Sequence, residues 1–278
     1  VFTYANVEQI LVDNGQVRGV RMADGHEIEC PVVVSSAGVD NTFNHLLPAE
    51  LTETLGYRQD MQRVRPSVGH LCLYIGLQDT AEALGLPKTN FWIYPHNDYD
   101  RALEDFMASD TAPFPVVYVS FPSAKDPDYL ARHPGTATIE IVAPAPYGPF
   151  EQWKGTTWGK RGEDYEQLKE TLSQRLLAHL YDKLPQLEGR IDYYELSTPL
   201  STEWFSAYRH GELYGLDHTP ERLQQDWLKP ATKIDGLWLT GQDILTCGVT
   251  GAMMAGMLTV TAMVGMRKVS PLMKRIYN

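Results

Sequence analysis

Along the first forty residues apolar positions alternate with polar ones, and the breaks fall on turn residues. TYANVEQILVDNG, QVRGVRMADG and HEIECPVVVSSAG read as three strands, because a period of two sends alternate side chains to opposite faces. Asn14-Gly15 and Asp24-Gly25 supply the hairpin turns, since both central positions of a type I′ turn need positive φ. A β-meander is predicted. Its last strand holds Val32, Val33 and Val34, a run of the kind buried on both faces of a sheet. It stops at Ser35, Ser36, Ala37 and Gly38, where small residues permit close backbone approach. Such an edge suits a cofactor and a plain tight turn equally well.

Over residues 41–65 the period becomes helical, with Leu46, Leu47, Leu51 and Leu55, until Pro66 biases Arg65 away from helix. Residues 68–77, 90–94, 116–121 and 137–142 are β-branched and aromatic enough to be strands of a second, mostly antiparallel sheet. A loop rich in Pro, Gly and Trp fills residues 143–162. Residues 163–184 follow as an amphipathic helix carrying Tyr165, Leu168, Leu172, Leu176 and His179 at helical spacing. A loop-rich stretch then leads to a strand at Leu237, Trp238 and Leu239. Residues 244–266 carry no charge. With Thr250 as N-cap the helix there starts near Gly251 and runs roughly 22 Å, short of the ~30 Å hydrocarbon core, so a buried helix is predicted. Arg267, Lys268, Lys274 and Arg275 follow it. Such charges ordinarily complement a helix dipole, and peripheral contact with an anionic membrane is the other reading.

The chain has 278 residues, 43% hydrophobic and 21% charged, enough for a core that needs no staples. Twenty-four Lys plus Arg against thirty-five Asp plus Glu give a formal charge of −11, which repels phosphate backbones and argues against nucleic acid. Cys30, Cys72 and Cys247 lie far apart without a C-x-x-C pair, which fits a reducing, cytoplasmic compartment. The opening lacks an initiating Met and any leader pattern, and reads as a cut inside a longer protein. No metal is expected: His70 and Cys72 share a strand face, but two ligands without a third seldom make a site. Neither H-E-x-x-H nor G-x-S-x-G occurs. Glu163, Asp164 and Glu166 stand in a first helical turn, where the dipole favours acids.

The most informative segment is GLWLTGQDILTCGVTGAMMAG, residues 236–256. It reads as a buried strand, a turn of small residues, an acid and a helix start whose free N–H groups point at an anion or carbonyl. Asp243 stands where it can accept from a sugar-like hydroxyl; equally, the glycines permit close packing and Asp243 caps a turn. Preceded by TPLSTEWFSAYRHGELYGLDHTPER, this segment closely resembles the C-terminal region of the FAD-dependent phytoene desaturase, carotenoid isomerase and retinol saturase group. VEQILVDNGQVRGVRMADGHEIECPVVVSSAG resembles the stretch that follows the nucleotide fingerprint in those flavoproteins. The likeness spans both ends of the chain and is weaker across residues 80–160.

That resemblance implies a mixed α/β (α+β) fold, the C-terminal part of a two-domain FAD-binding oxidoreductase. Residues 1–40 and 230–278 would form a partial Rossmann-like FAD domain, and residues 41–229 a substrate domain with a mixed, mostly antiparallel sheet. The cofactor implied is FAD. Val7 corresponds to the backbone at the adenine, Ala37 and Gly38 to the strand end beside the dinucleotide, and Gly241, Gln242 and Asp243 to the turn at the ribityl chain. Gly248, Val249, Thr250, Gly251 and Ala252 match the helix start at the flavin's pyrimidine side. Arg209, His210 and Tyr214 match a loop near the flavin, with catalytic or merely structural roles equally open. Tyr74, Trp92, Tyr94, Tyr118 and Phe121 would line a hydrophobic tunnel or serve ordinary packing. The substrate implied is a carotenoid- or retinoid-like polyene, a carbon–carbon double bond of which is saturated or desaturated by hydride transfer. A cis–trans isomerase using reduced FAD, or a non-catalytic module left by truncation, are the alternatives. No G-x-G-x-x-G follows a strand in this chain. The expected partner is therefore the missing N-terminal half, without which FAD binds weakly or not at all.

Overall fold

Turn chemistry and proline positions divide the strands in a computed structural model that describes residues 1–109, 111–269 and 271. The strands are β1 (Val7–Asp13), β2 (Gln16–Met22), β3 (Glu27–Glu29), β4 (Val33–Ser35), β5 (Gly69–Gln78), β6 (Phe91–Ile93), β7 (Val117–Ser120), β8 (Thr136–Ala145), β9 (Ile191–Ser197) and β10 (Leu237–Leu239). The longer helices are α1 (Tyr99–Ala108), α2 (Glu163–Lys183), α3 (Pro199–Ser206) and α4 (Gly248–Val264). Two compact units result: Val1–Ser67 with Tyr214–Asn278, and Val68–Leu213. Residues 41–67 and 214–229 thus join the first unit, where Phe43, Leu47, Tyr57 and Leu216 share a core with Leu237 and Leu239.

In the first unit β1, β2 and β3 form an antiparallel sheet. Asn14 (φ 49°) and Gly15 (φ 79°) make the expected two-residue turn between paired Asp13 and Gln16. The second turn differs: the Met22 N–H donates to the His26 carbonyl at 2.8 Å, so Ala23, Asp24 and Gly25 form a three-residue loop. Gly25 alone carries the positive φ there, as such loops require. The predicted third strand is really two. Pro31 offers no N–H to a ladder, so β3 ends before it, and β4 leaves the meander to pair in parallel with β10 (Val33 opposite Leu237, Ser35 opposite Leu239). The valine run is not buried on both faces: Val32 and Val34 are 43% and 46% exposed, β10 being the strand paired with β4 among the described residues. Residues 41–65 are likewise not one helix. A π-helical turn (Asn41–Leu46) and two short helices (Ala49–Thr54, Tyr57–Met61) are separated by Pro48 and by Gly56 at φ 81°. Phe43 stacks on Tyr57 with ring centroids 3.8 Å apart, which folds these pieces together.

Helix α4 starts at Gly248 with Cys247 as N-cap, so Thr250 stands inside the first turn instead of capping it. Small residues Gly251, Ala255 and Thr259 form its buried stripe, and the Thr259 hydroxyl donates to the Leu239 carbonyl at the end of β10 (2.8 Å). Its other flank is exposed, Val249, Met253, Leu258 and Val260 included, which departs from a helix buried all round. Among the described residues no helix is long and apolar enough to cross a membrane. Arg267 and Lys268 are exposed; Lys274 and Arg275 lie outside the described residues.

The second unit is built on an antiparallel sheet of order β6-β7-β8-β5-β9. Leu71, Leu73, Ile75 and Leu77 of β5, with Ile139 and Ile141 of β8, share a core with Leu176, Leu177 and Leu180 of α2. Period two then fixes the opposite face: Trp92, Tyr118, Val142, Cys72 and Ser197 form one cross-strand row, with Glu140, Tyr74 and Glu195 in the next. Phe121 does not belong to it. Fully buried and packed edge-on against Phe91 at 5.2 Å, it is a core residue. Strand β9 and α1 were not foreseen; α1 is opened by Asp98, whose carboxylate accepts the Arg101 N–H.

The two faces make different demands. Ile141→Ala is expected to cost about 2–5 kcal/mol through loss of packing and a residual cavity. Trp92→Ala, at a side chain 62% exposed, is expected to cost less than about 1 kcal/mol. Urea unfolding of both variants checks this, and equal losses would contradict the face assignment.

Candidate functional site

In the first unit the segment after β10 is assembled around one carboxylate. Asp243 lies in a short 3₁₀ turn (Gln242–Ile244) and is 4% exposed. Its Oδ2 accepts the Val39 N–H and its Oδ1 the Leu216 N–H, each at 2.8 Å. Glycine is required at 215: at φ 62°, an added Cβ would stand 2.0 Å from Asp243 Oδ1. The carboxylate thus joins the end of the β4 edge, the 214–217 loop and the turn before α4. A ligand hydroxyl would meet it as a further donor on oxygens that each retain a lone pair.

The turn is held from a second side by Arg222, in the short helix Pro220–Leu223. Arg222 is 3% exposed, and its Nη2 donates to the carbonyls of Gln242 (2.8 Å) and Asp243 (2.7 Å). Burial lowers the guanidinium pKa, with Asp243, Cys247 and Asp217 acting in the opposite direction. At the start of α4 the Cys247 N–H donates to His218 Nε2 (2.8 Å), and the Gly248 N–H faces the Gln242 side-chain oxygen at 3.5 Å. His218 accepts only while that nitrogen is unprotonated. Burial and then the Arg222 charge lower its pKa, opposed by Asp217 and Asp243.

Gly241, Gln242, Asp243 and residues 248–252 are therefore brought together, and the Asp243 bond to Val39 adds Gly38 and Ala37. Gly38 (φ 91°) also gives its carbonyl to the N–H and hydroxyl of Thr42. Val249 and Thr250 are exposed, Gly251 is buried and Ala252 half-buried. Val7 stands on the separate three-stranded sheet, its backbone paired with Met22. Sequence reasoning missed Gly215, His218 and Arg222. In HTPER the Thr219 cap and Pro220 announce a helix start, but an arginine there reads as an ordinary surface charge.

The second unit contributes an open sheet face. Trp92 and Tyr118 lie 4.7 Å apart, and Tyr74 and Tyr94 are 47% and 42% exposed. Tyr118 is anchored by Asn90, which together with Ser120 receives the Lys125 ammonium (2.5 and 2.9 Å). Burial pushes the Cys72 thiol up to about 11 and lowers the pKa of His70, whose Nδ1 is buried without a hydrogen-bond partner. Arg209 and His210 are exposed; the His210 N–H donates to the buried Glu212 carboxylate (2.9 Å), and its ring meets Tyr147 edge-on. Tyr214 belongs to the first unit, with its side chain exposed and its N–H on Ser67 Oγ (3.0 Å).

Two outcomes follow. Gly215→Ala is expected to destabilise the first unit by about 2–3 kcal/mol, read by denaturant unfolding, because backbone strain and displacement of Asp243 add. Folding lowers the pKa of His70, His179 and His218 below 6.5, so on acidification the unfolded chain takes up protons first. Their contribution to stability is complete above pH 6.5 and is lost as pH falls through the folded values. The protection factor at the Cys247 amide, taken against the intrinsic exchange rate at each pH, should fall over the same range, and His218→Ala should remove that fall.

No protein-family profile matches the chain. It is 38% identical over 273 residues to the all-trans-retinol 13,14-reductase of Macaca fascicularis, an alignment covering 94% of this chain and 45% of that protein. It is 28% identical to the chloroplastic prolycopene isomerase of Daucus carota, over 97% of this chain and 41% of that one. A solved oxidoreductase of Methanosarcina mazei shares the fold, with TM-score 0.52 at 16% identity over 92% of this chain and 48% of its own. The chain thus spans about half the length of the curated relatives it matches. On these similarities it belongs to the family of all-trans-retinol 13,14-reductases, prolycopene isomerases and phytoene desaturases.

Proposed function

We propose that this chain carries the cofactor-facing turn and the substrate face of a flavin-dependent oxidoreductase that saturates or desaturates a carbon–carbon double bond of a retinoid- or carotenoid-like polyene. The observation that carries the reading is the open cradle before α4. Apart from the adjoining backbone, no atom of the described residues lies within 4 Å of the place a Cβ would occupy at Gly241 (φ 98°) or Gly248 (φ 81°), and Val249 beside them is 87% exposed. Backbone conformations that favour glycine, facing empty space at a helix N-terminus, fit the approach of a planar ring with carbonyl acceptors. FAD would supply hydride transfer at its isoalloxazine ring.

The chain's own residues would do the rest. The N–H groups of 248–250, unpaired within the helix, would favour negative charge at the pyrimidine side. Ala37 and Gly38 would let the dinucleotide approach the β4 edge, the Val7 backbone would meet the adenine, and Asp243 would fix the turn and receive a ribityl hydroxyl. Trp92, Tyr118, Tyr74 and Tyr94 would stack along an apolar polyene and shed water from it. His210 or Tyr214, exposed side chains, would move a proton to the carbon that does not take hydride, and Arg209 stands beside His210 in the chain. An isomerase would use the same groups with no net change in hydrogen content, a second reading supported by the likeness to a prolycopene isomerase.

Fluorescence titration of the chain with FAD, followed by a visible spectrum after gel filtration, tests the reading. Saturable but weak binding is expected, because the pyrophosphate fingerprint does not occur in this sequence. Val249→Glu should weaken binding about 5–10-fold without unfolding the chain, since an acid suits a first helical turn but repels flavin carbonyls. Failure of FAD to bind saturably, or indifference to Val249→Glu, would overturn it. Product mass from the whole enzyme then separates a change of two hydrogens from none.

A further inference from the structure

Arg222 is a cation held in the interior. Its Nη2 serves the carbonyls of Gln242 and Asp243 and approaches that of Leu245 at 3.5 Å, while Nη1 is buried with no hydrogen-bond partner among the described residues. The Asp243 carboxylate acts on it through space and not through a hydrogen bond, its two oxygens accepting backbone N–H groups. Burying an ion is costly, and neutral carbonyls offset only part of that cost. A neutral amide in the same place could donate to the same turn. What the guanidinium adds is charge, beneath the loop that leads into α4 and within electrostatic reach of Cys247 at its N-cap.

We propose that Arg222 is a positioning residue whose buried charge offsets that of the buried Asp243 carboxylate, so that the dipole of α4 is left as a fixed positive pole for a bound group that gains negative charge. The flavin reading identifies that group, but the pole belongs to the folded chain and is measurable without cofactor. The field of a buried charge is screened less by salt than that of a surface one. On the flavin reading, the pole would favour the reduced cofactor, and neutralising Arg222 would shift the bound cofactor's midpoint potential to more negative values.

Cys247, exposed at the N-cap, is a built-in reporter. In a Cys30→Ser background, with Cys72 buried, its alkylation by anionic iodoacetate is compared with that by neutral iodoacetamide. The rate ratio should exceed that of the urea-unfolded chain by about threefold or more. Arg222→Gln and Arg222→Met, checked for folding by near-ultraviolet circular dichroism, should bring it most of the way down. Arg222→Lys, which keeps the charge but loses the fork, should retain it. A folded neutral variant with the wild-type ratio overturns the proposal. If neither neutral variant folds, a wild-type ratio no higher than that of the unfolded chain overturns it. The flavin reading fails separately: FAD then binds to no variant, while the ratio still falls on neutralisation. FAD bound with an unchanged potential in Arg222→Gln would instead strike the inference alone.

Discussion

Asp243 holds the first unit together at the point where its site is made. One carboxylate accepts N–H groups from two segments far apart in the chain, Val39 and Leu216, while standing in the turn that feeds α4. A carboxylate buried at 4% exposure is tolerated only when donors replace its water, and backbone donors are the most rigid available. Everything around it is shaped by that requirement. Residue 215 lacks a side chain because a methyl would collide with the carboxylate, and Arg222 caps the carbonyls of the same turn from within. Thr259 ties α4 to the end of β10. The short β4–β10 pair is held by its ladder and, at its ends, by these bonds.

The second unit solves a different problem. Its sheet buries one face against α2 and leaves the other, with Trp92, Tyr74 and Tyr193, in the open. An antiparallel sheet tolerates one solvated face, but that face is normally polar. Here an aromatic row lies beside a polar one, with Lys125, Asn90 and Ser120 at one end and Glu195 bonded to Lys169 at the other. On the proposed reading, such a face would shed water along the side of a long apolar molecule.

What was legible in the sequence follows the range of the interactions. Local chemistry could be read: the Asn14-Gly15 hairpin, the amphipathic period of α2, and the strands whose β-branched residues alternate. Errors arose where a single residue overrode a period. Pro31 turned one strand into two with different partners, and Pro48 and Gly56 cut one helix into three pieces. Strand β9 was hidden because Asp192, Tyr193 and Glu195 are exposed and only Leu196 is fully buried, too weak an alternation to stand out. In the site, the TGQD turn and the small residues of α4 were visible as a pattern. The partners that give them geometry were not, because the Asp243–Val39 bond crosses 204 residues and Arg222 looks like any surface cation in HTPER.

This division bears on how one frame serves reductases, desaturases and isomerases. In a flavin enzyme the protein governs orientation, charge and exclusion of water, and the cofactor carries the bond chemistry. Around Asp243 the carboxylate is committed to backbone donors, one guanidinium nitrogen to carbonyls and His218 to the Cys247 N–H. On the flavin reading such a turn would set a potential and a pose, and these would suit all three reactions alike. On the proposed reading, discrimination would then lie where titratable and aromatic side chains stand exposed. Those are the exposed face of Trp92, Tyr74 and Tyr94 and the solvent-facing side chains of Arg209, His210 and Tyr214, and there differences among relatives would change the chemistry without disturbing the fold.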